Sequence, residues 1–145
     1  MKLIEFLNLF KQGKISAKSH MKNLLEMAMA DGQFDNSEEQ YLNKLARKYG
    51  ISKKQLNEIH NDKDSIEFII PEKEEEVFVQ LFELTNMMVV DEDIDSEELK
   101  LCVLFAKKFG YKPENCEELV DSIASNIRNG QSVAETKRRI NWLIN

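Results

Sequence analysis

Residues that break helices or cross-link chains are scarce in this sequence of 145 residues, which contains two prolines, five glycines and two cysteines. Cys102 and Cys116 lie outside any CxxC motif, which disfavours a disulfide framework or a zinc ribbon and is typical of a reducing cytosol. Long alternating runs of Val, Ile and Thr are also missing, and apolar residues recur instead at helical spacing. These absences predict an all-α fold in a single domain.

An excess of positive charge is missing as well. The formal net charge is −6 at pH 7, whereas a general nucleic-acid binder needs a basic face to displace counterions from phosphates. The one basic cluster with an aromatic residue, Lys137–Arg139 with Trp142, is interpreted as the solvated face of an amphipathic terminal helix. The apolar start, MKLIEFLNLF, is too short for a membrane span and has no small-residue cleavage site. We therefore expect a cytoplasmic protein without membrane insertion.

Helical periodicity predicts a bundle of seven to eight helices. Gly13 and Gly50 are expected to end helices, and Pro71 and Pro113 to begin them. Residues 61–70 are expected to be extended or turned, because a proline disfavours helix at the residue before it. The predicted helices span residues 2–12, 17–30, 36–49, 52–60, 71–90, 96–109, 113–128 and 132–145.

An internal repeat with an offset of sixty residues is visible without gaps. The first copy covers about 17–60 and the second about 72–128, with a terminal helix outside each. Each copy is predicted to contain a helix, an acidic turn, a helix, a glycine stop and a helix, which favours a pseudo-symmetric pair in one bundle over an extended array. The matching positions include Asp31 with Asp91, Phe34 with Ile94, Asp35 with Asp95, Glu38 with Glu98, Ala46 with Ala106 and Gly50 with Gly110.

The second copy contains an unbroken apolar run, Leu101–Ala106. A helix that is apolar on all sides has to be covered on all sides. The terminal helices are the expected cover, and a homodimer contact is the alternative.

The acidic turns share one pattern: an Asp, three residues, an Asp, two residues and a Glu. Asp35 with Glu38, and Asp95 with Glu98, have the spacing of a helix capping box, which explains these four residues without any ligand. It leaves Asp31 and Asp91 unexplained, because each lies at the C-terminal end of a helix, where the dipole disfavours an anion.

The second turn is also unusually dense in negative charge. It has six acids in the eight residues Asp91–Glu98, and a divalent cation or a basic partner would relieve their repulsion. Hard carboxylate oxygens suit calcium, magnesium or manganese and suit zinc less well. A calcium-binding EF-hand is not predicted, because Ser96 replaces its glycine and Cys102 its bidentate glutamate.

The stretch ADGQFDNSEEQYLNKLARKYGIS, residues 30–52, resembles the TerB-like family of helical domains (tellurite-resistance protein B, DjlA N-terminal type). The resemblance is carried by Ala30, Asp31, Gly32, Phe34, Glu38 and Gly50. It implies a bundle of two pseudo-repeats over essentially the whole chain. It also implies functional or metal-associated roles for Asp31, Asp35 and Glu38. The internal repeat extends these roles to Asp91, Asp95 and Glu98, although Val90 and Glu92 depart from the family pattern.

Three functions follow from these patterns. The first is a non-enzymatic TerB-like module whose acidic turns bind a divalent cation or a basic protein surface, with a bacterial tellurite or stress setting implied by the resemblance alone. The second is a plain protein-interaction domain whose turns are only helix caps. The third, disfavoured because no nucleophile elbow, phosphate loop or HExxH motif is present, is a metal-dependent hydrolase.

Several single residues are interpreted as structural. His20 and His60 have no ligand partner at local spacing, so they are expected to be ordinary core or surface histidines. The methionines of the second and fifth predicted helices are expected to fill gaps in the core, and Cys102 to be buried and inert.

Overall fold

The protein is all-helical in a computed structural model, which describes residues 2–30, 32, 34–90 and 94–144. Within these ranges there is no strand, as the sequence predicts. A single 3₁₀ turn, Lys63–Ser65, follows the third helix. The α-helices are α1 (Leu3–Ala28), α2 (Asn36–Lys48), α3 (Lys53–Asn61), α4 (Glu74–Val89), α5 (Ser96–Lys108), α6 (Pro113–Arg128), α7 (Val133–Arg139) and α8 (Asn141–Ile144).

The first two predicted helices are one helix. The expectation that Gly13 ends a helix is wrong, because α1 runs through it without a break for 26 residues. A single glycine weakens a helix by about 1 kcal/mol but keeps its backbone N–H, so it does not have to interrupt the hydrogen-bond ladder. Gly13 also lacks the positive φ found at Gly50 and Gly110, which end helices as predicted.

The helix expected to begin at Pro71 begins instead at Glu74. The preceding segment is held extended against α1, where the Ile69 amide donates to Ser19 Oγ at 2.9 Å and Pro71 is buried. Lys22 Nζ donates to the Ile66 carbonyl at 2.8 Å in the same segment. The extended linker predicted here is thus confirmed, and α4 begins only after this extended segment.

The two copies of the repeat end their middle helices in the same way. In the first copy the Ile51 amide donates to the Ala46 carbonyl at 2.8 Å, and in the second the Tyr111 amide donates to the Ala106 carbonyl at 3.2 Å. This six-to-one bond, with a left-handed glycine between, is the Schellman motif. Gly50 and Gly110 have φ of 69° and 99°, which other L-residues rarely adopt.

The hydrophobic core forms around the C-terminal half of α1. Met21, Leu24 and Met27 have no exposed surface, and α1 contacts α2, α3, α4 and α5, with its largest contact on α4. Helix α4 also packs against α5 and α6, so it is shared between the two copies. The core therefore joins the copies instead of separating them.

The predicted cover of the second copy is wrong. Leu3, Ile4 and Leu7 of α1 are 74%, 67% and 52% exposed, and α8 packs against α6 and α7. Helix α5 is buried from the inside by α1, α4 and α6, while its outer Leu104 stays 49% exposed. Among the residues that the structure describes, no helix has the length and apolar character needed to cross a membrane.

Candidate functional site

The first acidic turn connects the end of α1 to the start of α2. The Glu38 amide donates to Asp35 Oδ1 at 2.9 Å, and the Asp35 amide donates to Glu38 Oε1 at 3.5 Å. This reciprocal pair is the capping box that the spacing predicts. At least part of the role of Asp35 and Glu38 is therefore to begin α2.

The second acidic turn begins α5 differently. Asp95 is the N-cap, but its carboxylate accepts from the Glu97 amide at 3.3 Å. The predicted capping box of Asp95 with Glu98 is wrong in this detail, because the side chain of Asp95 is aimed at the second amide of the helix and not at the third. The capping role of Asp95 itself is confirmed.

Two buried glutamates occupy equivalent positions in the turns. Glu38 is 1% exposed and Glu98 is fully buried, although each lies in the first turn of its helix. Neighbouring residues of that turn, such as Glu39 and Glu97, are exposed. A carboxylate is stable inside a protein only when hydrogen bonds, a cation or a metal compensate for lost hydration. The repeat thus places one buried acid beneath each acidic turn.

The remaining predicted ligands, Asp31 and Asp91, lie outside the described residues, as do Glu92 and Asp93. Within the described part of the chain, no three His, Cys, Asp or Glu side chains gather closely enough to hold a metal ion. A cation at either turn would therefore need Asp31 or Asp91 in addition to the described acids.

A groove of about 370 Å³ lies beside the first acidic turn. Its wall includes Phe34 from the turn and Met29 from the end of α1, both of which are substantially exposed. Helix α3 contributes Lys53, Leu56 and His60 to its lining. The lining combines apolar with polar side chains, as sites for partner helices do.

A second cluster of polar groups is buried between the two copies, centred on Glu83 of α4. Glu83 Oε1 accepts from His20 Nε2 at 2.9 Å and from the Tyr49 hydroxyl at 2.5 Å. Its Oε2 accepts from Lys48 Nζ at 2.7 Å. Helices α1, α2 and α4 are thereby tied to one carboxylate, which we call the Glu83 hub.

The charge states of the Glu83 hub follow from its burial and contacts. Burial raises the pKa of Glu83, but hydrogen bonds from His20, Lys48 and Tyr49 outweigh it and hold the pKa below its usual range. Burial lowers the pKa of His20, and the contact with Glu83 only partly opposes this. The pKa of Tyr49 is raised by burial and by its bond to the carboxylate. A neutral His20 therefore donates to an ionised Glu83.

Sequence reasoning missed the Glu83 hub because its members are far apart in the chain. The residues near His20 in the sequence include no ligand partner, and its actual partner, Glu83, is 63 positions away. One signal was present: Glu83 interrupts an apolar stretch from Val77 to Val90 that is buried on most sides. An acid inside such a stretch indicates a paired buried charge.

Most of the residues that the sequence predicts to be structural have a structural role in the fold. Cys102 is buried, and burial raises the pKa of its thiol to about 12, so it is inert as predicted. Of the five methionines in α1 and α4 and at the end of α1, four are buried and Met29, at the groove, is exposed. In the terminal basic cluster, Arg138 and Arg139 pair with Glu135 at 2.6 and 2.9 Å, which reduces their free positive charge.

Comparison with known proteins gives a match that covers the first acidic turn. The family model described as Tellurite resistance protein TerB matches residues 2–61, which include that turn and the glycine stop of α2. No curated protein and no solved structure matches the chain significantly. Residues 2–61, less than half of the chain, are therefore similar to the TerB family.

Proposed function

We propose that this protein is a non-enzymatic TerB-like module whose acidic turns bind a divalent cation. The observation that carries the proposal is the pair of buried glutamates, Glu38 and Glu98, at equivalent positions beneath the turns. The TerB family is not a known enzyme family, which agrees with a binding role. The tellurite or stress setting implied by the family belongs to the same proposal.

The proposed ligand set is one turn aspartate, the capping aspartate and the buried glutamate. These are Asp31, Asp35 and Glu38 in the first copy and Asp91, Asp95 and Glu98 in the second. All are hard oxygen ligands, so calcium, magnesium or manganese is expected ahead of zinc. A cation there would offset the repulsion between the acids within each turn.

The test is a thermal melt of the full chain in EDTA and then in excess calcium, magnesium, manganese or zinc. A cation that binds only the folded protein at a hundred times its Kd stabilises it by about 2.7 kcal/mol, or roughly 5–10 °C in Tm. The double variant Asp31→Asn/Asp91→Asn is expected to lose this shift and to keep its Tm in EDTA. The single variants then show which turn binds.

The matched control is Asp62→Asn/Asp64→Asn, which removes the same charge from the exposed turn after α3. It is expected to keep the full cation-induced shift. Absence of a shift with every ion would overturn the cation proposal and leave the turns as helix caps. A large loss of Tm in EDTA for the Asp31/Asp91 variant would indicate a structural role instead.

The groove beside the first turn favours a second candidate, a protein-interaction domain. An amphipathic helix with basic residues fits it, because apolar side chains would pack on Leu56, Phe34 and Met29 while the acidic turn and Glu39 meet the positive charge. Phe34→Ser is expected to abolish binding of such a helix without affecting a cation-induced Tm shift. Titration of each variant with a basic amphipathic peptide, followed by fluorescence anisotropy, separates the two functions.

A further inference from the structure

The N-terminal half of α1 extends beyond the bundle. Helix α1 has 26 residues and is about 39 Å long, and Ala17 is the first buried residue among those whose side chains the structure describes. The described side chains from Lys2 to Gly13 are all exposed. A short helical segment is marginal in water on its own, so the exposed apolar residues of this half favour packing against a partner.

One stripe of α1 connects the exposed half to the buried half. Residues 3, 7, 10, 14, 17, 21, 24 and 28 alternate in steps of four and three, which is the spacing of a coiled-coil seam. In the bundle, Ala17, Met21 and Leu24 of this stripe are buried. Beyond the bundle the same stripe continues through Leu7 and Leu3, which are exposed. The exposed seam therefore has the pattern of one that packs against another helix.

A groove of about 410 Å³ lies at the base of the exposed half. Its floor is apolar, with Ile15 of α1 and Ile70 of the linker among the exposed hydrophobic residues. Glu72, Lys73 and Glu76 also line it, so its charged residues sum to a net negative charge. At the opposite end of the exposed half, the apolar tip is preceded by Lys2.

We propose that the exposed half of α1 pairs antiparallel with the same segment of a second copy. In the register that aligns the two seams, the numbers of any two residues that face each other across the pair add up to 17. Leu3 then faces Lys14, Leu7 faces position 10, and Lys2 faces Ile15 beside Glu72 and Glu76. The tip of each helix reaches the groove of the other copy.

Charge and symmetry both support a second copy as the occupant. An antiparallel pair brings the positive Lys2 to the net-negative groove lined by Glu72, Lys73 and Glu76. It does so twice, once at each end, which is the self-complementarity required by a two-fold axis. Lys14 is the single charged residue in the seam, and its aliphatic stem can cover Leu3. A lone polar residue at a seam position selects register. The pairing segment is only about 18 Å long, so the dimer is expected to be concentration-dependent.

The first test is sedimentation equilibrium of the full chain from micromolar to near-millimolar concentration. The apparent mass is expected to rise from 16.9 kDa toward twice that value. Leu7→Asp is expected to weaken association by about a hundredfold, because it buries a charge in the seam. The matched control is Leu104→Asp on α5, which changes an equally exposed leucine away from the seam and is expected to leave association unchanged.

The second test checks direction and register. Lys2→Glu and Glu72→Lys should each weaken the dimer, and the double variant Lys2→Glu/Glu72→Lys should restore it. The native cysteines are buried, so an introduced cysteine can be cross-linked selectively. A mixture of Leu3→Cys and Lys14→Cys chains is expected to form the mixed disulfide faster than either chain alone, whereas a parallel pair would link like chains.

Other results would overturn the proposal. A mass of one chain at every concentration would exclude the dimer, and loss of association by Leu104→Asp alone would move the interface to α5. A monomer that sediments with anionic phospholipid vesicles in a Leu7-dependent manner would assign the stripe to lipid. The interface contains none of the acidic-turn residues, so this proposal and the cation proposal stand or fail separately.

Discussion

Glu83→Ala is expected to lower the free energy of unfolding by about 2–6 kcal/mol, because it removes the shared acceptor of two donors that water reaches poorly. Glu83 is 5% exposed and accepts from His20, Tyr49 and Lys48. Its loss leaves the buried donor of His20 and the half-buried donor of Tyr49 without an acceptor, and each such donor is destabilising by about 1–3 kcal/mol. Urea denaturation followed by circular dichroism at neutral pH measures the effect.

The control for this variant is Glu135→Ala. Glu135 also makes short ion pairs, with Arg138 and Arg139, but these lie on the surface of α7. Exposed pairs contribute little because water solvates the separated charges almost as well. No measurable loss is expected there. If Glu83→Ala also left the free energy of unfolding unchanged, the Glu83 hub would not contribute to stability, and apolar packing alone would join the two copies.

Acidification is expected to destabilise the protein through His20. Burial lowers the pKa of His20 in the folded state. Below about pH 6.5, His20 is therefore protonated in the unfolded chain but stays neutral in the native chain. The stabilising contribution is complete above that pH and is lost as the pH falls, with a slope of up to about 1.4 kcal/mol per pH unit. The depressed pKa of Glu83 adds a further loss in the same direction below about pH 4.3.

The measurement is the free energy of unfolding from urea titrations at a series of pH values from about 8 to 5, the window below and above the ordinary histidine pKa. His20→Gln is expected to flatten the slope, whatever its effect on stability at neutral pH. His60→Gln is the matched control, since it removes the exposed histidine of α3 and should keep the slope. A wild-type slope that survives in His20→Gln would place the titrating group elsewhere.

Local features of this fold could be predicted from the sequence. The capping box of Ser52 with Gln55 is present, with bonds of 2.8 and 3.1 Å, because its atoms lie within one turn of the chain. Gly50 and Gly110 end their helices for an equally local reason. The sequence predicts that α4 begins at Pro71, three residues before its actual start. The contact that holds the linker extended joins Ile69 to Ser19, which is fifty positions away in the sequence.

The candidate sites show the same division. The spacing of Asp35 and Glu38 predicts the helix cap. It does not predict the burial of Glu38 and Glu98, because burial depends on how other helices pack against these residues. Glu83 and His20 gave no signal as a pair, because nothing in either local pattern indicates the other. The convergence of Asp31 with Asp35 and Glu38, and of Asp91 with Asp95 and Glu98, remains a prediction, because Asp31 and Asp91 lie outside the described residues.

The sharing of α4 between the two copies has a consequence for how the chain can be divided. The segment recognisable by similarity ends at residue 61, but the largest contact of α1 is with α4, which begins at Glu74. A fragment that stops at residue 61 would lose the largest contact of α1 and would lack Glu83, the hydrogen-bond partner of His20. Such a fragment is expected to be unfolded or aggregated. The smallest autonomous folding unit is therefore longer than the stretch by which the family is recognised.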